Sequence, residues 1–184
     1  MTLEDFLAKN QSLTAVPVRW GDMDAYQHVN NTVYFKYFED ARIQLFHDLT
    51  ACVLEKDPDG SLCPASARFV EDGGDVGPIL GYTDCQFKFP CTYPDKLVVG
   101  ARIDIAGMSS SKLVMHYTAW SRQHQRVVAS GTGTIVAYNY GAAKISAFPE
   151  MLVDAMHTLH ARVDKEKLLE LEVKLSNMSF DSLQ

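Results

Sequence analysis

The sequence predicts an α+β fold in which a curved antiparallel sheet wraps one long, buried helix. The segment from about residue 32 to residue 49 has helical periodicity but carries apolar side chains on most of its faces, and such a helix is buried on most sides. From Ile79 to Tyr140 the chain changes to long strand-forming segments joined by short turns, which make neighbouring strands antiparallel. A buried helix combined with such a sheet is an α+β architecture.

The N-terminal part predicts a short helix and one strand before the central helix. Thr2 suits the N-cap of a helix over about residues 3–9, because acidic residues occupy its first turn. Apolar side chains alternate with others over Ala15–Trp20, which indicates a strand, and Pro17 favours an edge position or a strand start. The polar stretch that follows ends in two asparagines, residues that favour helix N-caps.

The rest of the chain predicts four strands and a final helix. The strands are Ile79–Phe89, Leu97–Ile105, Lys112–Ser121 and Arg126–Asn139. Small residues at 130–134, within the last strand, indicate the close approach of a helix or a ligand. The pairs Gly73-Gly74 and Gly77-Pro78 indicate a loop. A helical tail is predicted over about residues 149–176.

Length, charge and cysteine content limit the kind of protein. We expect residues 1–184 to form one domain with its core at about 15–140. The chain carries 17 lysines and arginines against 23 acidic residues, which argues against a nucleic-acid partner because phosphate contacts need a basic face. Neither a membrane span nor a secretory signal is present, so we expect a cytoplasmic protein and leave a mitochondrial address open. The four cysteines, without a C-x-x-C pair, are expected as free thiols.

Several common catalytic and metal sites are missing from the sequence. It contains no P-loop, no complete dinucleotide fingerprint, no G-x-S-x-G elbow and no H-E-x-x-H motif. His157 and His160 lie three residues apart on the predicted final helix, but neither has an obvious cysteine or carboxylate partner. A solvated helix face is therefore favoured over a metal site, and we predict neither a metal nor a cofactor.

The polar stretch before the central helix carries chemical groups. Asp22, Asp24 and His28 precede the helix, and Asn31 lies near its start. A helix N-terminus offers unpaired N–H groups that can stabilise the oxyanion formed when a carbonyl is attacked, and a nearby carboxylate can act as general base or nucleophile. Because a thiol has a pKa of about 8.5, a thiolate leaves with little acid assistance. These groups therefore suit a thioester better than an amide.

Spacing alone favours a plain capping role for the two aspartates, because Asp and Asn are common before helices. The whole stretch from Arg19 to Arg42 favours catalysis instead. It contains an aromatic residue, x-D-x-D, three residues, H-V-N-N, two spaced tyrosines and a late A-R. In these features it resembles the hotdog-fold acyl-CoA thioesterases of the 4-hydroxybenzoyl-CoA thioesterase class. The similarity in pattern extends over about Val16–Tyr140, including Phe87–Pro90 and Pro94–Leu97.

The resemblance implies a hotdog fold, here with an added C-terminal helix, and homodimers whose sheets join edge to edge. Whether such dimers pair into tetramers is not predicted. The resemblance further implies active sites at the subunit interface that hydrolyse acyl-CoA to a free acid and CoA. By position, Asp24 would be the catalytic carboxylate and the backbone N–H of Asn31 would polarise the thioester carbonyl. His28 would be a positioning or hydrogen-bonding group, Asn30 a cap, and Asp22 structural.

The resemblance also indicates where the CoA phosphates would bind. In the family's aromatic-acyl branch, arginines occupy the turn after the third long strand, whereas the corresponding turn here, residues 108–112, has serines and one cation. Serine hydroxyls and turn N–H groups bind phosphate more weakly than guanidinium groups do. The candidate CoA-binding residues are Lys88, Arg102, Ser109, Ser110 and Lys112.

Two other functions stay open on the sequence. Hotdog enzymes that hydrate or dehydrate acyl thioesters use an acid/base pair that often includes a histidine, a role open to His28. A non-catalytic hotdog module would bind an acyl chain or a protein partner and would be indifferent to loss of Asp24. The acyl group is not predicted, because the aromatic residues of this stretch suit an aryl pocket or a long-chain tunnel equally well. They are Trp20, Tyr26, Tyr34, Phe35 and Phe38.

Overall fold

The structure is a computed structural model that describes residues 1–62 and 76–161. Its helices are α1 (Leu3–Lys9), α2 (Val33–Leu54) and α3 (Glu150–Ala161), with a single 3-10 turn at Trp20–Asp22. Its strands are β1 (Ser12–Pro17), β2 (Val76–Thr83), β3 (Gln86–Phe87), β4 (Lys96–Asp104), β5 (Lys112–Ser121), β6 (Arg126–Asn139) and β7 (Lys144–Ile145).

The strands form one antiparallel sheet with the order β1-β4-β5-β6-β2, to which β3 and β7 add further pairing with β6. Strand β6 has 14 residues, so it pairs with β5 on one side and with β2 and then β3 on the other. Along β5, Leu113, Met115 and Tyr117 are buried while the residues between them keep partial exposure. This alternation gives the sheet one apolar inner face.

Helix α2 packs against the inner face of the sheet. The ring of Phe38 stacks on Tyr117 of β5, with 5.1 Å between centroids and 13° between planes. Further along the helix, Leu45 and Leu49 are fully buried, and α3 packs against α2 in turn. The predicted α+β fold, with a central helix wrapped by an antiparallel sheet, is confirmed.

The small residues within β6 allow this close packing. A Cβ atom on Gly131 would overlap the backbone oxygen of Asp84 and lie 2.8 Å from the Phe38 ring. A Cβ atom on Gly133 would lie 2.7 Å from the hydroxyl of Tyr117. Both distances are shorter than van der Waals contact, so neither position can carry a Cβ atom unless its neighbours move. The predicted close approach to residues 130–134 is confirmed for helix α2.

Two element boundaries near the N-terminus differ from the prediction. Strand β1 covers Ser12–Pro17 instead of Ala15–Trp20, because the N–H of Arg19 donates to the Asp22 carboxylate at 2.8 Å and the chain folds into the 3-10 turn. Helix α2 ends at Leu54, five residues beyond the predicted end, since its last two turns still bury Cys52 and Val53.

The predicted strand Ile79–Phe89 is divided in the structure into β2 and β3. The division lies at Asp84, whose carboxylate accepts the backbone N–H of Thr132 at 2.8 Å and so takes the place of a ladder bond. The predicted loop at Gly77-Pro78 is wrong, because both residues belong to β2. That strand lies at the sheet edge, where a proline without an N–H is tolerated. The two-residue strand β7 was not predicted.

The remaining boundaries agree closely with the prediction. Strands β5 and β6 match it at both ends, β4 is displaced by one residue, and Thr2 caps α1 through a reciprocal bond with Asp5. Helix α3 confirms the start of the predicted tail, and the remainder of that tail lies outside the described residues, as do Cys63 and Gly73-Gly74. Within residues 1–62 and 76–161, no helix is long and apolar enough to span a membrane.

Candidate active site

An open cleft of about 470 Å³ lies between the N-terminus of α2 and the chain that leads from β3 to β4. It gathers the three predicted catalytic residues and one predicted CoA-binding lysine. The residues that line it are Asp24, Tyr26, His28, Val29, Asn31, Tyr34, Phe87, Lys88, Phe89, Pro90 and Cys91.

Backbone hydrogen bonds close the loop before α2 on itself and join it to the opposite wall of the cleft at Val29. The N–H of Asp24 donates to the carbonyl of His28 at 2.9 Å, and the N–H of Val29 donates to the carbonyl of Cys91 at 2.8 Å. Gln27 closes the turn with a φ of 62°, in the left-handed region that few non-glycine residues adopt. The loop and the wall therefore hold one geometry across the cleft.

Asp24 presents a carboxylate to this cleft. One of its oxygens, Oδ1, accepts the backbone N–H of Tyr26 at 2.8 Å, which sets the direction of the side chain. The other oxygen has no hydrogen-bond partner among the described residues. Asp24 therefore has one oxygen held by the loop and one available to water or to substrate.

Asp22, two residues earlier, is engaged in hydrogen bonds within the fold. Its Oδ2 accepts the N–H of Arg19 and the hydroxyl of Tyr37, both at 2.8 Å. It does not line the cleft. The geometry agrees with the structural role that the resemblance implies for Asp22, and of the two aspartates of the D-x-D motif only Asp24 lines the cleft.

The start of α2 leaves a backbone donor available in the cleft that Asp24 also lines. The side-chain oxygen of Asn30 accepts both the N–H and the hydroxyl of Thr32, at 2.9 and 2.7 Å, and its carbonyl accepts the N–H of Val33 at 2.9 Å. Asn30 therefore holds the turn that leads into α2, whereas the N-cap of the helix itself is Thr32, which makes no side-chain cap bond. The N–H of Asn31 has no acceptor among the described residues, so it can donate to an oxygen bound in the cleft.

His28 and Lys88 also lie at the cleft, whereas the other predicted CoA contacts do not. The His28 side chain is exposed at the mouth. Ser109 and Lys112 bond to each other across the β4–β5 turn, and the carbonyl of Ser110 accepts the N–H of Phe148. None of these three turn residues lines the cleft of a single chain, and their role in CoA binding stays a prediction.

Aromatic rings form one wall of the cleft. Tyr34 is one of the aromatic residues that the sequence suggested for an acyl pocket, whereas Phe87 and Phe89 were not predicted to belong to the site. Tyr34 is 3% exposed, and its ring packs edge-on against Tyr37 at 5.8 Å and Phe87 at 5.5 Å. Phe89 follows two residues later, with the guanidinium of Arg126 over its ring at 4.7 Å. The alternation of phenylalanines in the β3 segment was visible, but its position opposite α2 depends on pairing with β6, which is remote in sequence.

The other reactive side chains near the cleft are unsuited to nucleophilic work. Burial raises the pKa of the Cys85 thiol to about 11, and burial followed by the charge of Asp95 raises that of Cys91 further. Both thiols are therefore protonated at neutral pH and poor nucleophiles.

On the helix that carries His157 and His160, the ring of His160 is hydrogen-bonded to the side chain of Gln11 at 2.7 Å. The described residues contain no cluster of histidine, cysteine and carboxylate side chains suited to a metal ion.

The chain was compared with protein families, curated proteins and solved structures. The family model of the thioesterase-like superfamily matches residues 18–156. A search of curated proteins found no match. Among solved structures, a candidate thioesterase from Pseudomonas aeruginosa is 26% identical, with a TM-score of 0.61 over 80% of this chain and 98% of that one.

Two further structures share the fold at lower identity. A thioesterase from Thermus thermophilus, complexed with coenzyme A and Zn, is 23% identical with a TM-score of 0.63, over 83% of this chain and 96% of that one. A DHNA-CoA thioesterase from Staphylococcus aureus is 16% identical with a TM-score of 0.62, over 82% and 91% of the two chains. The hotdog fold expected from the resemblance is confirmed by these structures.

Proposed function

The chain belongs to the thioesterase-like superfamily, and from that membership we propose that it hydrolyses acyl-CoA thioesters to a free acid and CoA. The observation that carries the proposal is the pairing, in one cleft, of the available carboxylate oxygen of Asp24 with the available N–H of Asn31. A thioester carbonyl placed between them would meet a donor on its oxygen and a base or nucleophile at its carbon.

The reaction follows from these two groups. The carbonyl oxygen binds at the N–H of Asn31, where the partial positive charge of the helix N-terminus stabilises the oxyanion. Asp24 either removes a proton from the attacking water or attacks the carbonyl carbon itself, forming an anhydride that water then cleaves. In both routes the C–S bond breaks, the electron pair leaves with sulfur, and one water molecule is consumed. Both routes need the same donor at Asn31.

The choice of a thioester rests on the leaving group. A thiolate departs with little help from an acid, since a thiol has a pKa of about 8.5. An amide or alkoxide leaving group needs a proton donor, and the only histidine that lines the described cleft is the exposed His28 at its mouth. We assign His28 a positioning role, in which it hydrogen-bonds the substrate, and Lys88 a role in attracting the CoA phosphates.

We further propose that two chains form a homodimer through the outer edge of β2, which pairs with no other strand within residues 1–62 and 76–161. This strand ends the sheet order and exposes Leu80 and Tyr82, at 41% and 56%, while Phe87 beside the cleft is 48% exposed. An unpaired strand edge with apolar side chains is a template for pairing with a second strand. Such a dimer would complete the cleft with residues of both chains.

The proposed activity is tested by release of the CoA thiol from short, medium, long and aromatic acyl-CoAs. We expect turnover of at least one class, and the best acyl group names the substrate. A folded protein that releases no thiol from any of them would contradict hydrolysis. Enoyl-CoA hydration assays would then test the hydratase alternative.

A further inference from the structure

Asp95 is a buried carboxylate directly before β4, and the proposed reaction does not use it. It is 2% exposed and does not belong to the residues that line the cleft. Its Oδ1 accepts the N–H groups of Lys96 and Gln123, at 2.7 and 3.0 Å. Its Oδ2 accepts the hydroxyl of Ser121 and the thiol of Cys91, the latter at 3.3 Å. Asp95 therefore joins the cleft wall at Cys91 to the turn between β5 and β6.

The loop before α2 is tied to Asp95 near both of its ends. At its start, the N–H of Val18 donates to the backbone carbonyl of Asp95 at 2.9 Å. Towards its end, the N–H of Val29 donates to the carbonyl of Cys91 at 2.8 Å, and the Cys91 thiol in turn donates to the Asp95 carboxylate. The first link is direct, whereas the second depends on the bond between Cys91 and Asp95.

The second link lies next to the proposed reaction centre. Val29 is two residues before Asn31, and the carbonyl of the preceding His28 accepts the N–H of Asp24 at 2.9 Å. A displacement of Val29 would therefore move the oxyanion donor and the carboxylate together with the loop. Reaction rates are sensitive to such movements, because an error of about 1 Å in the placement of reacting groups can cost about a hundredfold.

The Cys91 thiol is suited to this link because it stays protonated. Cys91 is 0% exposed, and burial followed by the charge of Asp95 holds the pKa of the thiol far above its ordinary range. A thiol is a weak donor, but a hydrogen bond to a carboxylate is stronger than one between neutral groups. Ser121 donates to the same oxygen, yet its hydroxyl accepts the N–H of His124 in the β5–β6 turn and has no bond to the loop.

We propose that Asp95 is a positioning residue for the reaction. Through the Cys91 thiol it holds the wall that receives Val29, and so it fixes where the Asp24 carboxylate and the Asn31 N–H stand in the cleft. This inference rests on the proposed thioester hydrolysis and adds to it a residue that lies outside the cleft.

The test compares Cys91→Ala with Ser121→Ala in the acyl-CoA assay. Both variants delete one donor to the same oxygen of Asp95 at a position that is 0% exposed. Cys91→Ala should lower kcat about tenfold or more per folded protein with little change in KM, since the lost placement matters most in the transition state. Ser121→Ala should keep kcat within about twofold of wild type, and Cys91→Ser, which retains a donor, should recover most of the loss.

Asp95→Asn is the second variant. Its amide oxygen can still accept the two backbone N–H groups, but an NH₂ group then replaces the acceptor of the Cys91 thiol. We expect a loss of kcat at least as large as that of Cys91→Ala. A folded Cys91→Ala or Asp95→Asn protein with wild-type kcat would overturn the proposal. Equal losses in Cys91→Ala and Ser121→Ala would also overturn it, because they would indicate general destabilisation.

Hydrogen exchange of the Val29 amide, followed by NMR, tests the link without the reaction. The amide should exchange about tenfold faster in Cys91→Ala than in wild type, and Ser121→Ala should leave its rate unchanged, because only the first variant releases the wall that accepts this N–H. If wild type cleaves no acyl-CoA, hydrolysis fails as the function, while faster exchange in Cys91→Ala still supports the hold of Asp95 on the loop. Unchanged exchange contradicts it.

Discussion

Replacing Gly131 by alanine tests whether the close contact between β6, α2 and the Asp84 segment holds the site together. The added methyl group would overlap the backbone oxygen of Asp84 and approach the Phe38 ring to 2.8 Å. Asp84 cannot retreat freely, because its N–H donates to the Thr132 carbonyl at 3.0 Å and its carboxylate accepts from the Thr132 N–H and hydroxyl at 2.8 and 2.6 Å.

The magnitude follows from these contacts. Overpacking a well-packed site costs about 1–3 kcal/mol, and loss of one of the Asp84 hydrogen bonds adds about 1–2 kcal/mol. We therefore expect Gly131→Ala to lower the free energy of unfolding by about 2–5 kcal/mol, a large part of the roughly 5–15 kcal/mol typical of a domain.

Urea unfolding at constant m-value measures this loss. Gly81→Ala is the matched control, because its added methyl would meet only ordinary contacts at 3.6 and 3.8 Å, and Gly21→Ala would meet open space. If Gly131→Ala were as stable as these two variants, the conclusion that Gly131 must lack a side chain for β6 to pack against Phe38 and Asp84 would be refuted.

Two further predictions concern acid stability and assembly. Burial opposes ionisation of Asp84, but its hydrogen bonds with Thr132 outweigh this and hold its pKa below the ordinary 3.8. The stabilisation by ionised Asp84 is therefore present above that ordinary value and is lost as pH falls through the lower, folded-state pKa. The urea midpoint of wild type should consequently fall more steeply below pH 4 than that of Asp84→Asn. Midpoints that fall equally with pH in the two proteins would contradict this. Sedimentation equilibrium of wild type should give a mass of 41 kDa, twice the 20.5 kDa of one chain. Charges introduced at the β2 edge by Leu80→Lys and Tyr82→Lys should lower the mass to that of one chain. A wild-type protein with the mass of one chain would contradict the dimer.

Much of the fold could be predicted because local patterns decided it. Strands β5 and β6 are long runs rich in strand-forming residues, bounded by short turns that the sequence also showed, and the burial of α2 was evident from its apolar residues on most faces. The break between β2 and β3 could not be predicted. It depends on the Asp84 carboxylate capturing the N–H of Thr132, 48 residues away in sequence.

The candidate site divides in the same way. Asp24, His28 and Asn31 belong to one short stretch, so the motif identified them together, and the structure brings them into one cleft. The different surroundings of Asp22 and Asp24 depend on contacts such as the hydrogen bond from the Tyr37 hydroxyl, which no spacing reveals. The aromatic wall depends likewise on strand pairing.

The most direct measurement compares kcat for acyl-CoA hydrolysis by Asp24→Asn and Asp22→Asn. Each variant keeps the size of the side chain and removes its charge within the same motif. The account predicts that Asp24→Asn loses about a hundredfold or more, at least about 2.7 kcal/mol of barrier, with an unchanged unfolding midpoint. Asp22→Asn should keep kcat within about tenfold of wild type while its midpoint falls, because its bonds with Arg19 and Tyr37 are weakened. A folded Asp24→Asn protein with wild-type turnover would contradict the account.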